Sequence, residues 1–134
     1  MRQTEWCVAP QYGLQFGSSE KGPKMPHRHV VPFTGIDPVI ADAKHYRVQF
    51  ETDRVRVLRV NYGPHEKSVL HGHPPGIAIY LTDAHLRFTY RDGRAEEGHV
   101  KAGAAVPTAL EEHIPENLGD MPVEIILIEL KAVR

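Results

Sequence analysis

Residues 68–117 read SVLHGHPPGIAIYLTDAHLRFTYRDGRAEEGHVKAGAAVPTALEEHIPEN. Short runs rich in Val, Ile, Tyr, Phe and Thr alternate with turn residues, the texture of a many-stranded β domain. Working outward, the same texture predicts strands at Tyr46 to Glu51, Arg54 to Tyr62, Ser68 to His73, Gly76 to Thr82, His85 to Tyr90, Arg94 to Lys101, Ala104 to Thr108, Glu112 to Asn117 and Val123 to Lys131. Only Pro38 to Lys44 suits a short helix. Asp92-Gly93 between two runs predicts a two-residue hairpin, with positive φ at both central positions of a type I′ turn. In Gly76 to Thr82 the odd positions Ile77, Ile79 and Leu81 form the greasier set, so the reading places them on the interior face. Val123 to Leu130 (VEIILIEL) is apolar on nearly both faces, as a strand covered on each side would be. The parity of Arg54 to Tyr62 breaks near Leu58, which calls for a bulge or for burial of both faces.

The chain of 134 residues suits one domain. Hydrophobic residues make up 41% and charged residues 25%, so a packed core is available and global disorder is excluded. Sixteen Lys and Arg against 17 Asp and Glu leave a formal charge of -1, without the basic excess that a phosphate backbone demands; nucleic acid is excluded as a partner. No apolar run approaches the roughly 20 residues of a membrane span, and the single cysteine, Cys7, cannot close an internal disulfide. With no signal-peptide pattern in residues 1–30, a reducing cytoplasm is the expected address. Residues 1–38 are rich in Gly and Pro and read as an arm. Its Trp6, Val8, Leu14 and Phe16 are candidates to pack on the domain, 39–134, or on a second subunit. A homodimer is the expected assembly.

Nine histidines are the one compositional excess. His71-Gly72-His73 ends a predicted strand, so both imidazoles project from one face with Cα atoms roughly 6.5–7 Å apart. Two metal donors are then held together by the chain itself, and closure of a barrel would bring His113, on a later strand, opposite them. Other chemistries lack their residues. There is no G-x-S-x-G elbow, no G-x-x-x-x-G-K-[ST] loop and no second cysteine for a zinc knuckle. Glu96-Glu97 and Glu111-Glu112 point to opposite strand faces within each pair, which argues against a two-carboxylate glycosidase.

His71-x-His73-Pro74, the Asp83-Ala84 turn, Asp92-Gly93, Lys101-Ala102-Gly103 and His113-x-x-x-Asn117 together resemble the two motifs of small single-domain cupins, over roughly residues 39–131. The resemblance implies an all-β fold, a single cupin β-barrel (double-stranded β-helix or jelly roll) with an N-terminal arm. It also implies a divalent metal on His71, His73 and His113. The sequence departs from the pattern at the motif 1 glutamate, where Ile77 or Ala78 stands. His65 occupies the first motif 1 glycine, and Thr108 and Leu110 replace a proline and a glycine of motif 2.

Three neutral imidazoles would leave the ion its 2+ charge and open positions, which favours a small anionic or chelating substrate. Similarity to three-histidine cupin dioxygenases implies Fe(II), with Zn, Ni or Mn compatible with the same donors. In such a cup Ile77, Ile79 and Leu81 are the expected wall of the substrate pocket, Glu111 is a candidate extra oxygen ligand and His65 a candidate polar group of the pocket. The competing reading is a non-catalytic small-molecule-binding cupin with a degenerate site. His27-Arg28-His29 reads as a solvated stretch of the arm, and His45, His85 and His99 as exposed.

Overall fold

The computed structural model describes residues 30–31 and 33–133. The chain runs β1 (Val30–Val31), α1 (Pro38–Ala41), β2 (Tyr46–Glu51), β3 (Val55–Tyr62), β4 (His71–His73) and β5 (Gly76–Tyr80). It continues through β6 (Ala84–Tyr90), β7 (Ala95–Val100), β8 (Ala105–Thr108), β9 (Glu111–Asn117), β10 (Val123–Leu130) and β11 (Ala132–Val133). Each strand read from the sequence is present. Two antiparallel sheets face each other, one ordered β2-β3-β10-β5-β8 and the other β4-β9-β6-β7. From β4 onward the chain crosses repeatedly between them, which makes the jelly roll. A small third pair joins β1 to β11, with Val30 opposite Val133.

The core lies between the sheets. Leu58, Val60 and Tyr62 of β3, Ala78 and Tyr80 of β5, and Val123, Ile125 and Leu127 of β10 face Ala84 and Leu86 of β6. Each fully buried large aliphatic side chain contributes roughly 1.5–3 kcal/mol. Gly76 lets β5 approach β10 closely, since a Cβ there would stand 2.1 Å from the Ile128 carbonyl oxygen.

The facing of β5 corrects the sequence reading. Ala78 and Tyr80 point inward, while Ile77 and Leu81 are 39% and 40% exposed on the outer face. The error has a physical cause: β10, the strand beside β5, is apolar on both faces, so Ile77 and Ile79 find aliphatic partners in Ile128 and Ile126 without entering the core. Hydrophobicity alone carried no sign of which side was in. Phe50 and Leu130 extend the same outer apolar surface.

The hairpin also differs. Tyr90 N–H bonds to the Arg94 carbonyl and Gly93 N–H to that of Tyr90, so the hairpin loop is Arg91-Asp92-Gly93. Gly93 has φ +91° but Asp92 is not in the positive region, which is a type I turn followed by a left-handed glycine rather than type I′. The register shift near Leu58 sits on β2, between Val48 and Phe50, and both Val57 and Leu58 are buried. The helix is one turn. Asp37 caps it by accepting from Val39 N–H at 2.9 Å, and Pro38 opens it.

Trp6, Cys7, Val8, Leu14, Phe16 and His27-Arg28-His29 lie outside the described residues. Among the described residues no helix is long and apolar enough to cross a membrane.

Asn117, fully buried at the end of β9, ties three backbone segments: its Nδ2 donates to the carbonyls of Gly63 and Met121 at 3.0 and 2.9 Å, and its Oδ1 accepts from Gly119 N–H at 2.9 Å. Asn117→Ala strands those groups and is expected to cost about 3 kcal/mol in urea unfolding. A loss below about 1 kcal/mol would show that the tie is dispensable.

Candidate metal centre

The pairing of β4 with β9 sets His71 directly opposite His113, and β-strand alternation sends His73 to the same inner face. Gly72, between the two histidines, faces the other way into tight packing, where a Cβ would meet the Phe33 ring at 2.9 Å and the Glu111 carbonyl at 3.3 Å. The three imidazoles are buried and form a near-equilateral triangle, with centroids 4.8, 5.2 and 5.2 Å apart. One nitrogen from each lies within 4.8 Å of the others. Among the described residues no other trio of His, Cys, Asp or Glu converges in this way.

The hydrogen bonds behind the rings decide which nitrogens face inward. Nδ1 of His71 donates to the Val69 carbonyl at 2.8 Å, that of His73 to Glu129 Oε2 at 2.9 Å, and that of His113 to Glu111 Oε1 at 3.0 Å. Carbonyl and carboxylate oxygens only accept, so each Nδ1 carries the proton and each Nε2 is left with a bare lone pair. Nε2 of His71 and of His113 are buried without any hydrogen-bond partner. Buried polar atoms are normally satisfied, and two convergent orphan acceptors are what a divalent cation would complete. The donor set fits such an ion.

Around the triad stands an aromatic and aliphatic wall. A cavity of about 70 Å³ is lined by Tyr46, Tyr62, Tyr80, Phe88, Leu86, Ile125 and Leu127, among others, with His73, His113, Thr108 and Glu111 as its polar members. No Lys or Arg lines it. The Tyr46 and Tyr62 hydroxyls bond each other at 2.6 Å. Burial and mutual proximity push the Tyr46 hydroxyl well above the ordinary phenol value, so both stay protonated.

Two networks back the three histidines. Glu129, buried on β10, bonds Arg56 Nε at 2.8 Å, and Arg56 grips both oxygens of Asp37 at 2.9 and 3.0 Å. Burial opposes the Arg56 charge, yet its bonds to Asp37 and Glu129 hold its pKa above the ordinary value. On the other side Ser68 Oγ, 3.3 Å from His71 Nδ1, donates to Asp42. Asp42 in turn holds His45 Nδ1 at 2.7 Å, and His45 Nε2 reaches Glu66 at 3.2 Å.

Sequence reasoning named the three histidines, and the fold brings them together. Glu111 bonds the outward nitrogen of His113, so it stands behind that ring rather than beside the bare Nε2 atoms. His65 is exposed, with φ +60°, and pairs with Asp120 at 2.7 Å outside the pocket. Ile77, Ile79 and Leu81 are absent from the cavity wall, which Ala78 and Tyr80 supply instead. His45, expected to be exposed, is buried and stacks on Tyr62 at 4.4 Å. Sequence reasoning missed Glu129, and the alternating Arg-Val stretch made Arg56 look like part of a solvated face. The signal for Glu129 was its parity with Val123, Ile125 and Leu127, masked by the equally apolar opposite face.

No protein-family model matches the sequence, and no curated protein matches it. Solved structures do. A cupin domain from Bordetella pertussis aligns with a TM-score of 0.60 at 20% identity, covering 83% of this chain and 100% of its own. A double-stranded β-helix domain protein from Klebsiella pneumoniae aligns at 0.51 with 16% identity, covering 83% and 87% respectively. An RmlC-like cupin family protein from Methanocaldococcus jannaschii also reaches 0.51 at 16% identity, covering 82% of this chain and 94% of that one. At such identities the likeness is one of fold.

Burial, with His73 close by, pushes His71 down to about 4, and burial with both neighbours pushes His113 down to about 3. Both folded values lie below the ordinary 6.5, so the unfolded chain binds the extra protons. The stability is present above 6.5 and is lost as the pH falls toward the folded values. Metal-free protein should therefore weaken by up to about 1.4 kcal/mol per pH unit for each histidine as pH falls below 6.5. His113→Gln should flatten the slope. A urea midpoint that stays level from pH 6.5 to 4.5 contradicts the burial of neutral rings.

Proposed function

We propose that this chain, a protein of the cupin fold, is a metal-dependent enzyme whose ion is held by Nε2 of His71, His73 and His113. The observation that carries the reading is the pair of orphaned, buried Nε2 atoms facing one point, with every Nδ1 already engaged behind. A three-histidine site leaves coordination positions open for a substrate, and Fe(II) there would supply the redox chemistry of a dioxygenase-type oxidoreductase.

The chain's own residues would do the rest. Tyr46, packed at 4.7 Å on His71, and Phe88, at 5.0 Å on His113, wall off water and orient the rings. The tyrosine hydroxyls and Thr108 Oγ1, which is buried without a partner, offer hydrogen bonds to a bound molecule. The wall supports a small, neutral, weakly polar substrate over the anionic one the composition of the triad suggested, because no basic side chain lines the cavity and two carboxylates sit behind the ligands. Its volume of about 70 Å³ is roughly half that of a cavity that accepts benzene, so the substrate is small or enters as the walls give.

Untagged protein should carry stoichiometric divalent metal by elemental analysis, and His113→Ala should lose it while its folded β signal persists. Full metal content in the variant defeats the assignment. Oxygen uptake by the Fe(II)-loaded protein with small diketones and thiols tests the chemistry. Metal retention with no turnover of either class would leave a binding module in place of a dioxygenase.

A further inference from the structure

The motif 1 carboxylate is absent from its usual place. β5 turns Ala78 inward, so the cavity meets a methyl group there, and Ile77 faces out. One strand over, β10 pairs Leu127 with Ala78 and Glu129 with Gly76, and it sends Glu129 inward with only 3% of the residue exposed. A carboxylate thus returns to the same neighbourhood from a different strand, but behind a ligand instead of beside the ion.

Its setting is over-determined for a group that merely braces the sheet. One oxygen takes the His73 Nδ1 proton at 2.9 Å, and the other takes Arg56 Nε–H at 2.8 Å. Arg56 is in turn forked onto Asp37, the cap of α1. Buried ion pairs seldom add net stability, because desolvation consumes what attraction returns. A carboxylate on a ligand imidazole has a distinct effect. It fixes the ring's tautomer and orientation and makes the ring a stronger donor.

We propose that Glu129 is a positioning residue that supplies, from behind His73, the negative charge the first coordination shell lacks at Ala78, with Arg56 and Asp37 holding it in place. This rests on the three-histidine reading above. The residue moves the compensating charge out of the coordination sphere, which frees a position at the ion for substrate while keeping a tightly bound metal.

Glu129→Gln keeps an oxygen that can accept from Nδ1 but removes the charge, and should weaken Co(II) and Zn(II) binding about 10-fold in chelator competition. Glu129→Leu removes both and should weaken it about 100-fold. Returning a carboxylate to the cavity wall, in Glu129→Gln with Ala78→Glu, should recover affinity and alter the visible Co(II) spectrum. Thermal unfolding of the metal-free variants separates this from a folding defect. Should they fail to fold, nitrogen-15 spectra of the histidine rings in wild-type, metal-free protein decide the matter. They should place the His73 proton on Nδ1, and a proton on Nε2 overturns the proposal. So does wild-type affinity in both single variants. Wild-type protein that binds neither metal removes the three-histidine reading and this inference together, whereas unaffected variants of a metal-binding wild type remove this inference alone.

Discussion

The antiparallel register of β4 on β9 is the constraint on which the rest of the site depends. It sets His71 opposite His113, and a slip of one residue would turn a whole row of side chains to the other face. The register is secured at several points. Ser68 N–H bonds the Pro115 carbonyl, Lys67 bridges to Glu116, and Asn117 N–H bonds the Glu66 carbonyl. The Asn117 side chain then pins the turns on either side. His113 of the triad and Asn117, which lies outside it, are parts of one mechanical unit.

Burying three imidazoles leaves six ring nitrogens to satisfy, and the fold answers for the outward three from three different places. A backbone carbonyl serves His71, β10 serves His73 through Glu129, and β9 itself serves His113 through Glu111. The single turn of α1 joins two of these supports. Asp37 at its start reaches His73 through Arg56 and Glu129, while Asp42 at its end reaches His71 through Ser68. Both ends of the helix therefore bear on the geometry of the triad, although none of its residues lines the cavity. Tyr46 and Phe88 pack their rings on His71 and His113 and lower the local dielectric, which strengthens these electrostatic contacts.

Strand positions were readable because β-rich runs alternate with Gly, Pro and Asp at short intervals, and His71-x-His73 with His113-x-x-x-Asn117 marked the three histidines that converge. The facing of β5 was not readable, since Ile77 and Leu81 are more hydrophobic than Ala78 and Tyr80 yet lie outside. Nor was Arg56, which in an alternating Arg-Val stretch looks like part of a solvated face but is mostly buried on Glu129 and Asp37. The Asp92-Gly93 hairpin was placed correctly and its loop counted one residue short, because Gly93 alone needs positive φ.

The residues in order determine the strands, the turns between them and the chemical identity of the donors, because backbone propensity and side-chain type are local properties. Tertiary structure alone decided which face of β5 meets the core, which carboxylates stand behind the imidazoles and which nitrogens are left bare. Those depend on cross-strand partners far away in the chain, and where both faces of a strand are apolar the pattern along it carries no information about the side its neighbours will cover.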